Sequence, residues 1–304
     1  MKTYHDCLSC FVKQALGALR RSGATDKDID RVMREVFLDL ARVDYCLPPP
    51  VMATRIHQKV VQATGVSDPL RDEKKQFNRF ALSVLDDLLN CSRTYTFEEK
   101  VKLAIAANII DFGKNTELTE REVEKCFENA LQTPVDSHAV SLLEQTLNSA
   151  SRILFLCDNA GEIVFDRFLM ESMPLERIIC AVRGKPVIND ATMEDARETG
   201  MTDSVKVISN GSDVPGTFLK SCSPGFREIF EKADLVIAKG QGNFETLSEV
   251  KQKKIFFLLQ VKCPVISRDV GFPVGTFLIK SSGDQENRFV CNENHLTQKE
   301  VYHG

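Results

Sequence analysis

Acidic and amide side chains follow two of the apolar runs in the second half of the sequence, where strands are expected to end. These residues are Asp158, Asn159 and Asp190. The two aspartates are separated by roughly one strand–helix–strand unit, so consecutive parallel strands can bring their carboxylates to one point. Carboxylate and amide oxygens are the ligands that Mg²⁺ and Mn²⁺ prefer. The pattern therefore predicts a divalent-metal site at these three residues.

Groups that suit an anion surround the predicted metal site. A helix expected to begin near Ala160 points free backbone N–H groups towards it. The loop from Gly240 to Gly242 can bring further N–H groups close, because glycine has no Cβ. Lys239 supplies a positive charge beside that loop. We therefore predict that a small phosphorylated molecule binds against the metal ion, with Lys239 and Gly240 in contact with it.

Ordinary helix starts are the alternative interpretation of the same loops. Asn159-x-x-Glu162 and Thr192-x-x-Asp195 both match the capping-box pattern, which requires no ligand. Asp195 is also a candidate base behind the metal site, but we favour a solvated carboxylate on a helix at this position. Taken one at a time, these loops are more typical of structure than of catalysis.

The sequence changes character near residue 149. Apolar residues at a helical period dominate the first part, whereas short apolar runs alternate with amphipathic segments in the second. In the first part we expect helices to cover, among others, 71–92, 98–111, 119–132 and 137–148. Strands are expected at 153–157, 177–182, 205–208, 235–238, 255–259 and 264–266, with an edge strand near Phe289, and helices at 161–172, 191–200, 223–232 and 243–251.

These elements predict an α/β fold with two parts. Residues 1–148 are expected to form a helical region or cap. Residues 149–304 are expected to form a doubly wound α/β/α sandwich with a mainly parallel sheet, because buried strands that alternate with helices are typical of that architecture. The sandwich would carry the metal site.

Composition excludes several classes of protein. The formal charge of −4 gives no positive field for a polyanion, so nucleic acid is not expected as a partner. The longest apolar run, Ile255 to Leu259, is too short to span a bilayer, and no membrane association is expected. The ten cysteines are spread along the chain, which favours reduced thiols and a cytoplasmic location. Gly240-x-Gly242 lacks the third glycine of a dinucleotide-binding loop.

Five segments of the sequence resemble the signature blocks of the damage-control phosphatase family. The segments are 158–166 (DNAGEIVFD), 188–192 (INDAT), 239–247 (KGQGNFETL), 106–111 (AANIID) and Cys7-Leu8-Ser9-Cys10, the last as in the prokaryotic branch. The resemblance covers nearly the whole chain. It departs from the family at Ala107, where glycine is expected.

The resemblance implies a metal-dependent phosphatase that acts on phosphosugars or on damaged, phosphorylated metabolites. Carried over by residue, it assigns the metal to Asp158, Asn159 and Asp190, and it assigns the substrate phosphate to the vicinity of Lys239 and Asn243. The expected cofactor is a divalent ion, Mn²⁺, Ni²⁺, Co²⁺ or Mg²⁺. Asp158, Asp190 and Lys239 are expected to serve catalysis, and the attacking group is either a water molecule or Asp158 itself.

Two further residues and two other functions stay open at the level of the sequence. Asn108 and Asp111 either reach into the cleft from the helical region to bind substrate, or simply end their helix before Gly113. A methyltransferase on the same kind of sheet is one alternative function. The other is a non-enzymatic ligand-binding module that senses metal or redox state through Cys7 and Cys10.

Overall fold

The computed structural model describes residues 1–90, 93–108 and 120–283 of the chain, and the side chains of these residues other than those of 120–124. Asp111 and the edge strand expected near Phe289 lie outside this part. No helix in the described residues has both the length and the apolar character needed to cross a membrane.

Helices form the first half of the described chain. They are α1 (Cys7–Arg21), α2 (Asp26–Leu40), α3 (Pro49–Thr64), α4 (Arg71–Asn90), α5 (Phe97–Ala106), α6 (Glu120–Gln132) and α7 (Ser137–Ser149). The cap of α5 shows how sequence sets such a boundary. Thr96 accepts a hydrogen bond from the backbone N–H of Glu99, and the Glu99 carboxylate accepts one from the N–H of Thr96.

Strands and helices alternate in the second half. The strands are β1 (Ile153–Leu156), β2 (Ile178–Val182), β3 (Lys206–Ser209), β4 (Leu235–Lys239), β5 (Ile255–Gln260) and β6 (Phe277–Ser281). The helices among them are α8 (Glu162–Met170), α9 (Met193–Glu198), α10 (Met201–Ser204), α11 (Pro224–Lys232), α12 (Gly240–Leu247) and α13 (Pro264–Val270).

One expected strand is wrong and one observed strand was missed. The segment 264–266 begins α13 instead of forming a strand, because proline fits the first turn of a helix, where no N–H is needed. The strand at Phe277–Ser281 pairs antiparallel with β5 and closes that edge of the sheet.

The sheet order is β3-β2-β1-β4-β5-β6, with β1 to β5 parallel. The chain winds from β1 outwards to β3 and then returns to place β4 on the other side of β1. A doubly wound sheet has its ligand crevice at this reversal, outside the carboxyl ends of the two central strands. The predicted fold class is confirmed, and the loops after β1 and β4 lie at the reversal.

The core shows how the two halves are joined. Side chains on one face of the sheet, including Phe155 and Ile237, share a hydrophobic cluster with α4 to α8. The other face packs against α11, α12, α13 and the Met1 side chain. Helices α1, α2 and α3 have a separate small core. The boundary between the two parts at 148/149 therefore stays a prediction. Helices α4 to α7 precede this boundary in the sequence but form one layer of the sandwich.

Candidate active site

A cleft of 380 Å³ lies at the carboxyl end of the sheet. Its size suits a small metabolite. The strand-end loops form its floor, and α1, α3, α4 and the end of α5 contribute to its walls. Residues that line the cleft include Gln14, Phe77, Asn108, Asp158, Asn159, Ile188, Asp190, Gln241, Glu245 and Lys262.

The loops that carry the predicted metal ligands are tied to each other through their backbones. The N–H of Ala191 donates to the carbonyl of Asp158 at 2.8 Å, and the N–H of Ala160 donates to the carbonyl of Asn189 at 2.9 Å. Between them, Ile188 has a φ of 46°, a left-handed conformation that a β-branched residue rarely adopts. Such strain is found where surrounding structure overrides local preference, often at functional sites. The structure therefore brings Asp158, Asn159 and Asp190 together.

Asp158 lies among other acidic groups. Its Oδ2 accepts hydrogen bonds of 2.9 Å from the amide groups of both Asn108 and Asn159. Burial, together with the nearby charges of Glu162 and Asp190, raises the pKa of Asp158 to about 8. A carboxylate in this setting is stabilised by a cation.

Arg183, which directly follows β2, partly supplies that charge. Its Nε donates to Asp190 Oδ2 at 2.6 Å, and one terminal nitrogen lies 3.8 Å from Asp158 Oδ1. That terminal nitrogen, Nη2, is buried without a hydrogen-bond partner. Burial raises the pKa of Asp190 above its ordinary value although Arg183 opposes the change.

The structure does not place the Lys239 amino group in the cleft. Its side chain is fully buried, and Nζ donates to Ala104 O at 2.9 Å, to Glu162 Oε1 at 2.6 Å and to Asp166 Oδ1 at 2.5 Å. Burial opposes the charge, but Asp166 and Glu162 outweigh it and raise the pKa of Lys239. The expected direct contact with phosphate is therefore corrected: all three donors are already used beneath the cleft floor.

Asn243 and Gly240 both have structural roles, whereas the sequence predicts that they contact the substrate. The amide nitrogen of Asn243 donates to the carbonyls of Cys157 and Lys239, and its oxygen accepts from Thr217, so this buried residue ties strand ends together. Gly240 has a φ of 75°, and a Cβ there would lie 1.9 Å from Asp158 Oδ2. Only glycine leaves room for the Asp158 carboxylate at this position.

Asn108 reaches the cleft from the end of α5. Its Nδ2 donates to Glu162 Oε2 at 2.7 Å as well as to Asp158. Its side-chain and backbone oxygens both accept hydrogen bonds from Lys262 Nζ. Lys262 follows β5 and is the one lysine or arginine among the cleft-lining residues that the structure describes. The side chain of Asp111 is outside the described residues.

Asp195 is buried, which corrects the expectation of a solvated carboxylate. Its Oδ2 accepts hydrogen bonds from the N–H and hydroxyl of Thr192 at 2.8 and 2.7 Å, so the capping pattern is real. Lys74 and Asn78 of α4 also donate to this carboxylate. Asp195 therefore links the Asp190 loop to the helical region.

Comparison with known proteins identifies the family of this chain. The model of the damage-control phosphatase ARMT1-like domain matches residues 3–278. The chain belongs to the damage-control phosphatase family. Membership confirms the resemblance of the sequence blocks and implies phosphatase activity.

Relatives of the damage-control phosphatase family match most of the chain. A damage-control phosphatase of Pyrococcus horikoshii is 36% identical over 285 residues, which is 91% of this chain and 97% of that protein. A damage-control phosphatase of Archaeoglobus fulgidus is 33% identical, over 75% of this chain and 81% of that protein. A crystal structure of a DUF89 family protein from P. horikoshii aligns with a TM-score of 0.85 at 33% identity, over 93% of this chain and 99% of that one.

The charges of this damage-control phosphatase fit a divalent cation at the cleft floor. Four buried carboxyl groups, Asp158, Glu162, Asp166 and Asp190, adjoin two buried cations, Arg183 and Lys239, so the carboxyl groups outnumber the cations. The described residues contain no cluster of three or more histidine, cysteine or acidic side chains arranged around a metal. Asp158, Asn159 and Asp190 offer instead two carboxylates and an amide, which are oxygen groups of the kind that hard cations prefer.

Two residues at the edge of the sheet were missed in the sequence although a signal for them exists. Arg183 and Lys262 follow the carboxyl ends of β2 and β5, so the rule that selected Asp158 and Asp190 applies to them as well. Asn78 gives no such signal. It is an ordinary polar residue in a helical segment far away in the sequence.

Proposed function

We propose that this protein is a divalent-metal-dependent phosphatase that hydrolyses phosphomonoesters of small metabolites, with sugar phosphates or damaged phosphorylated metabolites as the substrate class. The observation that carries the proposal is the pairing of Asp158 with Asp190 at the reversal of the sheet, in a floor where buried carboxyl groups outnumber cations. The names of the two archaeal relatives support the same activity.

Asp158, Asn159 and Asp190 are the residues that would hold the ion, here Mn²⁺, Ni²⁺, Co²⁺ or Mg²⁺. When bound, the ion supplies Lewis-acid stabilisation of the phosphoryl oxygens. Arg183 favours the ionised form of Asp190 and orients it through the 2.6 Å hydrogen bond to its Oδ2. The Asn108 amide holds Asp158 in place from the opposite side.

Lys262 takes the role that the sequence assigns to Lys239. Its side chain is exposed on the cleft wall, and within the part of the chain that the structure describes its ammonium group donates only to the oxygens of Asn108. Exchanging a neutral amide oxygen for a phosphate oxygen gains a charge-assisted hydrogen bond. We infer that Lys262 neutralises the phosphoryl group from the rim while Lys239 binds Glu162 and Asp166 below the floor.

Phosphate release from a panel of phosphomonoesters tests the proposal. The panel holds sugar phosphates and a small aryl phosphate, each assayed with Mn²⁺, Ni²⁺, Co²⁺ or Mg²⁺ and with a chelator. We expect release with at least one ion and none with chelator. Asp158→Asn and Asp190→Asn are expected to lower the rate at least about 100-fold, because each removes a charge that the transition state depends on.

A matched variant separates loss of the site from loss of charge in general. Asp203 is exposed on α10, away from the cleft, and Asp203→Asn is expected to keep the wild-type rate. Release that persists in chelator would contradict the metal dependence. Absence of release from every ester with every ion would contradict the phosphatase assignment itself and favour a ligand-binding role.

A further inference from the structure

We propose that Asn78, in the middle of α4, is a positioning residue that holds the two metal-ligand loops at a fixed separation and thereby sets the affinity of the site for its divalent ion. The inference rests on the proposed function, because it takes Asp158 and Asp190 as ligands. Asn78 itself does not line the cleft.

One end of the Asn78 amide binds the loop after β1. Asn78 is fully buried, and its Oδ1 accepts a hydrogen bond of 2.8 Å from the backbone N–H of Gly161. Gly161 caps α8 with a φ of 75°, so its N–H is not used within that helix. This contact fixes the loop that contains Asp158 and Asn159.

The other end of the same amide binds the element after Asp190. Asn78 Nδ2 donates to Asp195 Oδ1 at 3.0 Å and to Glu198 Oε2 at 3.1 Å. The second oxygen of Asp195 accepts from the backbone N–H of Thr192, two residues after Asp190. One side chain in the helical region therefore joins both loops.

The charges around Asn78 explain why an amide is needed. Lys74, one turn earlier on α4, lies 3.2 Å from Asp195 Oδ2 and 3.0 Å from Asp68 Oδ2, and all three groups are nearly buried. An amide both accepts from an N–H and donates to carboxylates, whereas an aspartate in its place would add a third negative charge opposite Asp195 and Glu198. A leucine would fill the space and make neither contact.

Spacing of the loops matters because the two ligand carboxylates repel each other before the ion binds. When the scaffold holds the two carboxylates close together, their repulsion lowers the free energy of unfolding. It then no longer opposes binding of the ion. Groups that orient metal ligands from outside typically change metal affinity about 10- to 100-fold when they are removed. A residue with a purely structural role would change stability and leave that affinity as it is.

A calorimetric titration tests the inference: Mn²⁺ alone is added to the metal-free, full-length protein and the heat of binding is measured. We expect the Mn²⁺ dissociation constant to rise about 10- to 100-fold in Asn78→Leu. Asn78→Asp keeps an acceptor for Gly161 and breaks the Asp195 side, so a smaller rise is expected. Val84→Ala, which removes core volume from the same helix, is the control and is expected to keep the wild-type constant.

Hydrogen exchange of the metal-free protein gives a second readout. The Gly161 amide is expected to lose protection in Asn78→Leu and to keep it in Asn78→Asp. A folded Asn78→Leu or Asn78→Asp protein with an Mn²⁺ dissociation constant within about twofold of wild type would overturn the inference. If Asn78→Leu does not fold, Asn78→Asp alone decides.

The inference and the proposed function can fail separately. Wild-type protein that binds Mn²⁺ but releases no phosphate contradicts the phosphatase activity, and the Asn78 variants are then still judged on Mn²⁺ binding. Wild-type protein that is an active phosphatase but shows unchanged Mn²⁺ affinity in the folded Asn78 variants contradicts the inference alone. Wild-type protein that binds no divalent ion contradicts both.

Discussion

The floor and the rim of the cleft each contain a lysine, and the two lysines are held in opposite ways. Lys239 in the floor is fully buried and divides its three donors among Ala104, Glu162 and Asp166. Lys262 at the rim is exposed, and among the described residues its ammonium group donates only to the oxygens of Asn108. A buried cation between two carboxylates is part of the scaffold, whereas an exposed cation on a cleft wall is free to change partners. We therefore expect the exposed Lys262, and not the buried Lys239, to contact a substrate.

Removing the floor lysine is expected to have the largest effect on stability. Lys239→Met leaves Glu162 and Asp166 buried without their cation, and the loss of one partner of a buried pair costs about 3–5 kcal/mol in the free energy of unfolding. Urea denaturation measures this change. Lys59, whose side chain is 24% exposed beside Glu35 and Asp39, is the control, and Lys59→Met is expected to cost at most about 1 kcal/mol.

Equal losses of stability in Lys239→Met and Lys59→Met would contradict the distinction between floor and rim. The lysine in the floor would then contribute no more than an ordinary surface ion pair. Retained rates of phosphate release in a fully folded Lys239→Met protein would show in addition that the charge of Lys239 does not matter to the site.

Glu245 extends the comparison because it is a buried carboxyl group on the cleft wall, and no lysine or arginine of the described residues forms an ion pair with it. Burial raises its pKa from 4.5 to about 7, although Gln241 donates a hydrogen bond to it at 2.8 Å. Between pH 4.5 and about pH 7, the folded protein therefore keeps a proton on Glu245 that the unfolded chain has already lost. Stability from this group falls as the pH rises through that window, by at most about 3 kcal/mol.

Glu245→Gln removes this pH dependence. The variant is expected to gain stability relative to wild type between pH 5 and pH 8, as measured by urea denaturation at both values in the presence of chelator. A difference between the two proteins that is the same at pH 5 and at pH 8 would show that Glu245 titrates normally.

The sequence predicts which strand-end residues lie together in the site, but not which of its charged groups are buried. Asp158, Asn159 and Asp190 were found because parallel strands necessarily end at one edge of a sheet. The same rule applied to β5 would have found Lys262. The burial of Lys239, the last residue of β4, could not be found this way, because its partners Glu162 and Asp166 lie on α8 and contact it only after folding.

Other differences between sequence and structure have similarly physical causes. Pro264 starts a helix in a short apolar run that alone does not distinguish helix from strand. Asp195 has the spacing of a capping residue, and nothing local to it shows that Lys74 and Asn78 cover it from α4. Contacts of this kind join segments more than a hundred residues apart, so no local pattern contains them.

Asn108 connects floor and rim, and its removal is expected to have a moderate effect. Asn108→Ala deletes the hydrogen bonds to Asp158 and Glu162 and is expected to lower the free energy of unfolding by about 1.5 kcal/mol. It is also expected to raise the KM for sugar phosphates more than that for a small aryl phosphate, since the amide lies on the cleft wall. Steady-state kinetics with both esters checks this. Equal changes in the two KM values would assign Asn108 to the scaffold alone.

The KM for a phosphomonoester in Lys262→Met, measured at saturating metal, is the most direct test of which lysine meets the substrate. We expect KM to rise about tenfold or more through the loss of a charge-assisted contact, the free energy of unfolding to change by less than about 0.5 kcal/mol, and Lys262→Arg to restore part of the binding. Lys251→Met, at an exposed turn outside the cleft, is expected to leave KM unchanged. A wild-type KM in Lys262→Met would contradict the assignment of the phosphate to the rim.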